Sequence, residues 1–311
     1  MKTVCLPEGS LLDSVENTAA CATLEGLRRA QKARQILEGM AVSCGPERDL
    51  IVRLGPFLGV IPREETALGI SDGSTREIAI LSRVGKPVSC VVTGLEERSD
   101  GTVRPILSRC QAQTMALEYL FSSLRPGRIL PATVTHLEPF GAFVDIGCGV
   151  PSMIGIENIS ISRIPHPDRR FQVGQRIFAV VTGLDRKKSR VTLSHKELLG
   201  TWEENAALFT AGMTLPGHIR SVKDYGFFVE LLPNLSGLAE PRAGYHEGER
   251  VSVYIKSILP RQMKLKLLLI DHLEPLDAPE PFTYFLTEGR LPRWRYAPKD
   301  CQRPAAETIL E

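Results

Sequence analysis

Apolar residues near the start of the chain fall at helical spacing. Leu11, Leu12, Val15, Leu24, Leu27, Ile36 and Leu37, with basic residues between them, predict a helix over 10–38. Ser10 or Asp13 would cap its start, and Gly39 would stop it. From Met40 the period shortens. Runs rich in Val, Ile and Leu are separated by Gly, Pro, Asp and Ser, the pattern of small β modules. DLIVRLG, FLGVIP, PVSCVVTGL and VRPILS are the strands expected of a first module. Helical spacing returns over 111–124 through Met115, Leu120, Phe121 and Leu124, and RPGR then marks a boundary.

A second module offers ILPATVTHLEP, AFVDIG, SMIGIEN, IFAVVTGLD and RVTLSH as strands. After a short helical stretch containing Trp202, a third offers TLPGHIRSV, FFVELL, SGLAE, RVSVYIKSIL and MKLKLLLI. These two modules are an internal repeat. GRILPATVTHLEPFGAFVDI aligns with GMTLPGHIRSVKDYGFFVEL, each reaching an aromatic, Gly, any residue, an aromatic, Val, an acid and an aliphatic. The first module matches in part and lacks the FGAF equivalent. Five-strand units of about seventy residues, with no helix alternating between strands, predict closed β-barrels in a row.

The expected organisation is an N-terminal helical segment (1–38), a degenerate barrel (39–110), a helical linker (111–124), a barrel (125–197), a second helical linker (198–211) and another well-matched barrel (212–270). No pattern fixes the structure of the tail, 271–311. Its EPFTYFLTEGRLPRWRYAP offers a hairpin with Gly289 in the turn, and Trp294 and Tyr296 either stack on a ligand or pack on the preceding barrel.

Composition narrows the function. With 43% hydrophobic and 24% charged residues in 311, the chain is of ordinary globular type with room for two or three cores. No run of about eighteen apolar residues suits a transmembrane helix, and MKTVCLPEGSLLDSVEN lacks the apolar segment of a secretory signal. Seven cysteines without a CxxC pair predict reduced thiols in a cytosol. Cys148 and His166 have no further ligands at metal spacing. No P-loop, GxSxG or HExxH is present, so neither an enzyme nor a cofactor is expected.

Net charge +2 conceals an asymmetry. Residues 125–200 carry eleven Lys/Arg against six Asp/Glu, and 211–270 carry eight against five; 40–124 carry nine against ten, and 271–311 five against eight. Basic character in the middle points to an anionic partner there.

GRILPATVTHLEPFGAFVDI followed by FQVGQRIFAVVTGLDRKKSRVTLSHKE resembles the RNA-binding repeat named after bacterial ribosomal protein S-one. The resemblance covers 127–196 strongly, 212–270 well and 39–110 in degenerate form. It implies OB-fold barrels and a cytoplasmic, non-catalytic protein that binds single-stranded RNA or mRNA, with the ribosome as a further partner. Two aromatic rings on an open barrel face form a stacking platform for unpaired bases, and Phe140 and Phe143 are the first pair. Because residues three apart point to opposite faces of a strand, a bulge or bend at Gly141 is expected to bring them together. Tyr225 and Phe228 are the second pair, with Phe227 assigned to the core. Asp185 and Arg190 match the family's acid and base at the turn before the last strand. Lys188, Arg169, Arg170 and Lys264 are the further cations expected at phosphates. The family's strand-three histidine is replaced by Gly155 and Glu240, which lowers the expected affinity. Alternatives are a protein-interaction scaffold, with a partner held by residues 1–124, or an accessory subunit of an RNA-processing enzyme.

Overall fold

The computed structural model describes residues 5–276, 280–301 and 306–310, so parts of the segments 1–38 and 271–311 lie outside the described residues. The N-terminal apolar spacing folds as two helices, α1 (Val15–Cys21) and α2 (Leu24–Ala33), not one. The break has a local cause. The side chains of Ser14 and Thr23 each accept a backbone N–H three residues on, from Asn17 and Gly26, so a second cap interrupts the expected helix. Arg34 ends α2 in the left-handed conformation. Gly39 does not stop a helix but lies inside the first strand.

Three closed five-stranded barrels follow. The first comprises β1 (Leu37–Cys44), β2 (Leu50–Leu54), β3 (Phe57–Ile61), β4 (Pro87–Glu97) and β5 (Val103–Ser108). The second comprises β6 (Ile129–Glu138), β7 (Gly141–Asp145), β8 (Pro151–Gly155), β9 (Arg176–Asp185) and β10 (Arg190–Ser194). The third comprises β11 (Thr214–Lys223), β12 (Gly226–Leu232), β13 (Leu235–Ala239), β14 (Arg250–Leu259) and β15 (Lys264–His272). In each, the third strand pairs with the fifth in parallel, and the other neighbours are antiparallel. Strand alternation builds the cores: in β15, Leu265, Leu267 and Leu269 point inward while Lys264, Lys266 and Leu268 point out.

Short helices fill the joints. α3 (Ile78–Leu81) lies in the β3–β4 connection, α4 (Arg109–Ser123) joins the first two barrels, and α5 (Trp202–Ala206) precedes the third. Ala112, Ala116 and Leu120 of α4 are continuous with the second barrel's core of Val134, Val144, Ile154 and Leu193. Near the N-terminus the Glu8 carboxylate accepts from Arg109 Nε (2.7 Å), Arg83 Nη1 (3.2 Å) and Ser89 N (3.1 Å). The Glu8 N–H donates to Asp145 Oδ2 at 2.7 Å, which ties this segment to both barrels.

The tail folds back over the middle of the chain, and no hairpin forms about Gly289. Ile129 N donates to Gly289 O and Leu291 N to Gly127 O, so 289–291 runs beside the start of β6. β16 (Arg293–Arg295) pairs instead with β17 (Glu307–Ile309). Trp294 is buried, and Tyr296 donates its hydroxyl to Asn234 O at 2.6 Å, so both rings serve packing.

Phe282 and Tyr284 enclose His195, which is fully buried against Phe171. Its ring nitrogens lie 2.8 Å from Ile159 O and 2.9 Å from the Tyr284 hydroxyl. A neutral imidazole satisfies both, donating to the carbonyl and accepting from the phenol. Burial pushes the His195 pKa down to about 4. A depressed histidine pKa means that the unfolded chain takes up the proton first. Stability is therefore complete above pH 6.5 and falls as pH drops towards 4, by roughly 3 kcal/mol. Denaturant titrations at several pH values are expected to show this fall in the native chain and to lose it in His195→Gln.

Candidate nucleic-acid interface

Each barrel carries an outward row of side chains set by strand register. In the second barrel the row is His136, Phe143, Met153 and Thr192. In the third it is Ser221, Phe228, Leu238 and Lys266. Phe140 and Tyr225 lie in the turns before β7 and β12, 56% and 65% exposed, and lean over these rows. The Phe140 and Phe143 ring centroids are 6.0 Å apart with planes at 87°. Tyr225 and Phe228 repeat this arrangement at 6.2 Å and 87°. Phe227 points into the third core.

Of the bulge or bend expected at Gly141, the bend is present as the turn over 139–140, and no bulge lies at Gly141 itself. Phe140 precedes the strand, so period-two alternation does not separate it from Phe143. Gly141 has a different necessity: a Cβ there would collide with the Ile154 carbonyl oxygen, and one at Gly226 would meet the Ala239 oxygen. A bulge lies in the neighbouring strand β6, between Val134 and His136, and sets His136 opposite Phe143 with centroids 6.3 Å apart.

The expected cations divide. Lys188 and Arg190 are exposed on the β9–β10 hairpin tip, and Asp185 shapes that tip by accepting the Lys187 and Lys188 N–H groups at 3.0 and 3.1 Å. Asp185 therefore serves the turn. Arg169 is exposed, as is Lys264 at the start of β15. Arg170 departs from the expectation. It is 4% exposed and donates to Glu230 Oε2 at 2.6 Å, so it fastens the second barrel to the third and faces no solvent. Arg220 reaches the other Glu230 oxygen at 2.7 Å. Burial alone would raise the Glu230 pKa, and the two guanidiniums hold it below the ordinary carboxylate value.

Two row members, His136 and Lys266, were not singled out as ligand contacts by the sequence, although the repeat alignment and the alternation of MKLKLLLI carry the signal. Glu240 does not stand as a bare negative charge: Lys256 Nζ lies 2.8 Å from its Oε1.

The first barrel has a different row of Ser43, Ile51, Val60 and Ile106. Its β1–β2 turn is tied to the β3–β4 connection by Arg63 N on Asp49 Oδ1 (3.0 Å) and Arg48 on Glu77 (3.4 Å), while Ala67, Ile70 and Ile80 pack on Cys44. This face has no aromatic pair.

Residues 123–196, which span the second barrel, match the family model of the S1 RNA binding domain. The second barrel is similar to the S1 RNA binding domain over all five of its strands. The chain is 34% identical over 187 residues to small ribosomal subunit protein bS1 of Leuconostoc lactis, covering 55% of this chain and 43% of that relative. It is 29% identical over 198 residues to the small ribosomal subunit protein bS1 homolog of Bacillus subtilis, covering 59% and 51%. The chain thus spans about half the length of these curated relatives. A multidomain protein with nucleic acid binding domains from Streptococcus pneumoniae covers 76% of this chain and 73% of its own at 14% identity, with a TM-score of 0.25. Among the described residues no helix is long and apolar enough to cross a membrane, and no group of three or more His, Cys, Asp or Glu side chains is placed to hold a metal ion.

Proposed function

We propose that the chain binds single-stranded RNA without catalysing a reaction, in association with mRNA or the ribosome. The observation that carries this reading is the doubled aromatic pair on an outward barrel face, exposed Phe140 over half-buried Phe143 where the S1 domain model matches and exposed Tyr225 over half-buried Phe228 at the same register in the next barrel. Unpaired bases stack on such rings irrespective of sequence, and neighbouring cations hold the phosphates. Lys188 and Arg190 act at the hairpin tip of the second barrel, Arg169 from the connection before β9, and Lys264 with Lys266 in the third.

Counterion release tests the cationic part. On single strands each neutralised phosphate contributes about 0.7 to the slope of log affinity against log salt. Lys188→Ala with Arg190→Ala is expected to reduce that slope by about 1.4, and Lys264→Ala by about 0.7. The measurement is a salt series with an unstructured RNA. Unchanged slopes would place the phosphates elsewhere.

A second reading applies to the front of the chain. Ile78, Leu81 and Val84 are exposed around α3, beside a barrel without the aromatic pair, which favours a protein partner for residues 1–124.

A further inference from the structure

Both aromatic platforms are edged by a carboxylate. In the second barrel Gly155 pairs with Gly141, next to the Phe140 turn, on the outward face that carries Met153 and Phe143. A Cβ built on Gly155 would meet Glu157 Oε1 at 2.5 Å and Oε2 at 2.8 Å. The Glu157 carboxylate therefore fills the space where a side chain at 155 would begin. In the third barrel the position two beyond Leu238 is Glu240 itself, exposed on the same face as Leu238 and Phe228. One reaches the spot from two residues downstream and the other directly. Different residues thus bring a carboxylate to the corresponding end of the third strand in two barrels, that of Glu240 drawn towards Lys256 of β14.

A carboxylate accepts hydrogen bonds and donates none. Beside a stacked base it meets the Watson–Crick edge, where single-stranded RNA is read. Guanine presents two adjacent donors there, N1–H and the 2-amino group, matching two carboxylate oxygens. Adenine and cytosine present one donor beside an acceptor nitrogen, and uracil one donor between two carbonyls, so each sets a lone pair against the negative charge. Lys256 holds one oxygen of Glu240 and so fixes its orientation; no ion pair engages Glu157 among the described residues. We infer that Glu157 and Glu240 make the two platforms prefer guanine. This rests on the single-stranded RNA reading above.

The test is fluorescence anisotropy with the full chain and a short unstructured RNA of mixed A and C, carrying G, inosine, A, C or U at one central position. A bidentate contact predicts about tenfold tighter binding for G than for A, C or U. Inosine, which lacks the 2-amino group, should lose most of that gain. Glu157→Ala with Glu240→Ala should bring the ratio to about one without weakening the host RNA. Both side chains are exposed, so the fold should survive. Binding of all five RNAs with equal affinity, or a guanine preference that outlives both substitutions, would overturn the inference while leaving RNA binding intact. No binding of any of the five would remove the RNA reading and the guanine preference together.

Discussion

Phe140→Ala combined with Phe143→Ala is expected to weaken binding of an unstructured RNA by about 2–6 kcal/mol, at roughly 1–3 kcal/mol for each base that loses its ring. Phe140 is more than half exposed and Phe143 half-buried on the outward row, while the barrel interior is filled by Val134, Val144, Ile154 and Leu193. The variant should therefore keep its fold, and its circular dichroism and melting profile should match the native chain. Adding Tyr225→Ala and Phe228→Ala should leave only weak attraction that disappears at physiological salt. The first barrel offers Ser43, Ile51, Val60 and Ile106 at the corresponding places and cannot substitute. Native affinity in a folded double variant would remove the stacking role. Collapse of that variant would show that the rings support the barrel.

Glu8→Ala is expected to cost about 3–5 kcal/mol of stability, the range for a buried charge that loses its partner. The Arg109 and Glu8 side chains are 5% and 6% exposed, and without Glu8 the guanidinium keeps only the Thr66 carbonyl among its described partners. Burial would raise the Glu8 pKa, but Arg109, with Arg83, holds it below the ordinary value of 4.5. The stabilisation is therefore present above that value and lost as pH falls through the lowered one. Denaturant unfolding at neutral pH should show the loss in the transition that includes the first two barrels. Arg109→Met added to Glu8→Ala should recover part of it, because no unpaired charge then remains. Equal stability of Glu8→Ala and the native chain would mean that water replaces the carboxylate.

The repeat made the second and third barrels legible. Both copies keep Gly between their aromatics, because a neighbouring carbonyl leaves no room for a Cβ at Gly141 or Gly226. Alternation likewise separated Phe227 from Phe228. Arg170 was misplaced for a physical reason. Two adjacent arginines in a Pro-broken loop look alike in sequence, and the partner that buries one of them, Glu230, lies sixty residues away in the next repeat. The interrupted N-terminal helix depended on Thr23, one hydroxyl among many. The tail was opaque because its partners are remote: Tyr284 answers to His195 and Tyr296 to Asn234. Local pattern reports alternation and caps well, and it says little about contacts between modules.

The return of the tail has a consequence for how the protein is made. Leu310 packs with Ile129, Val180 and Leu198, while the Glu8 N–H reaches Asp145, so both ends of the described chain close on the middle barrel. During synthesis the first barrel can complete its strands as soon as they emerge, since domains generally fold in N- to C-terminal order. The middle barrel can pair its strands next, but the flank around His195 stays open to solvent until some ninety further residues have been translated. The module that emerges second is thus finished last. A nascent chain halted before Phe282 would present Phe171, His195 and Phe178 as an uncovered apolar patch, the kind of transient surface that chaperones occupy.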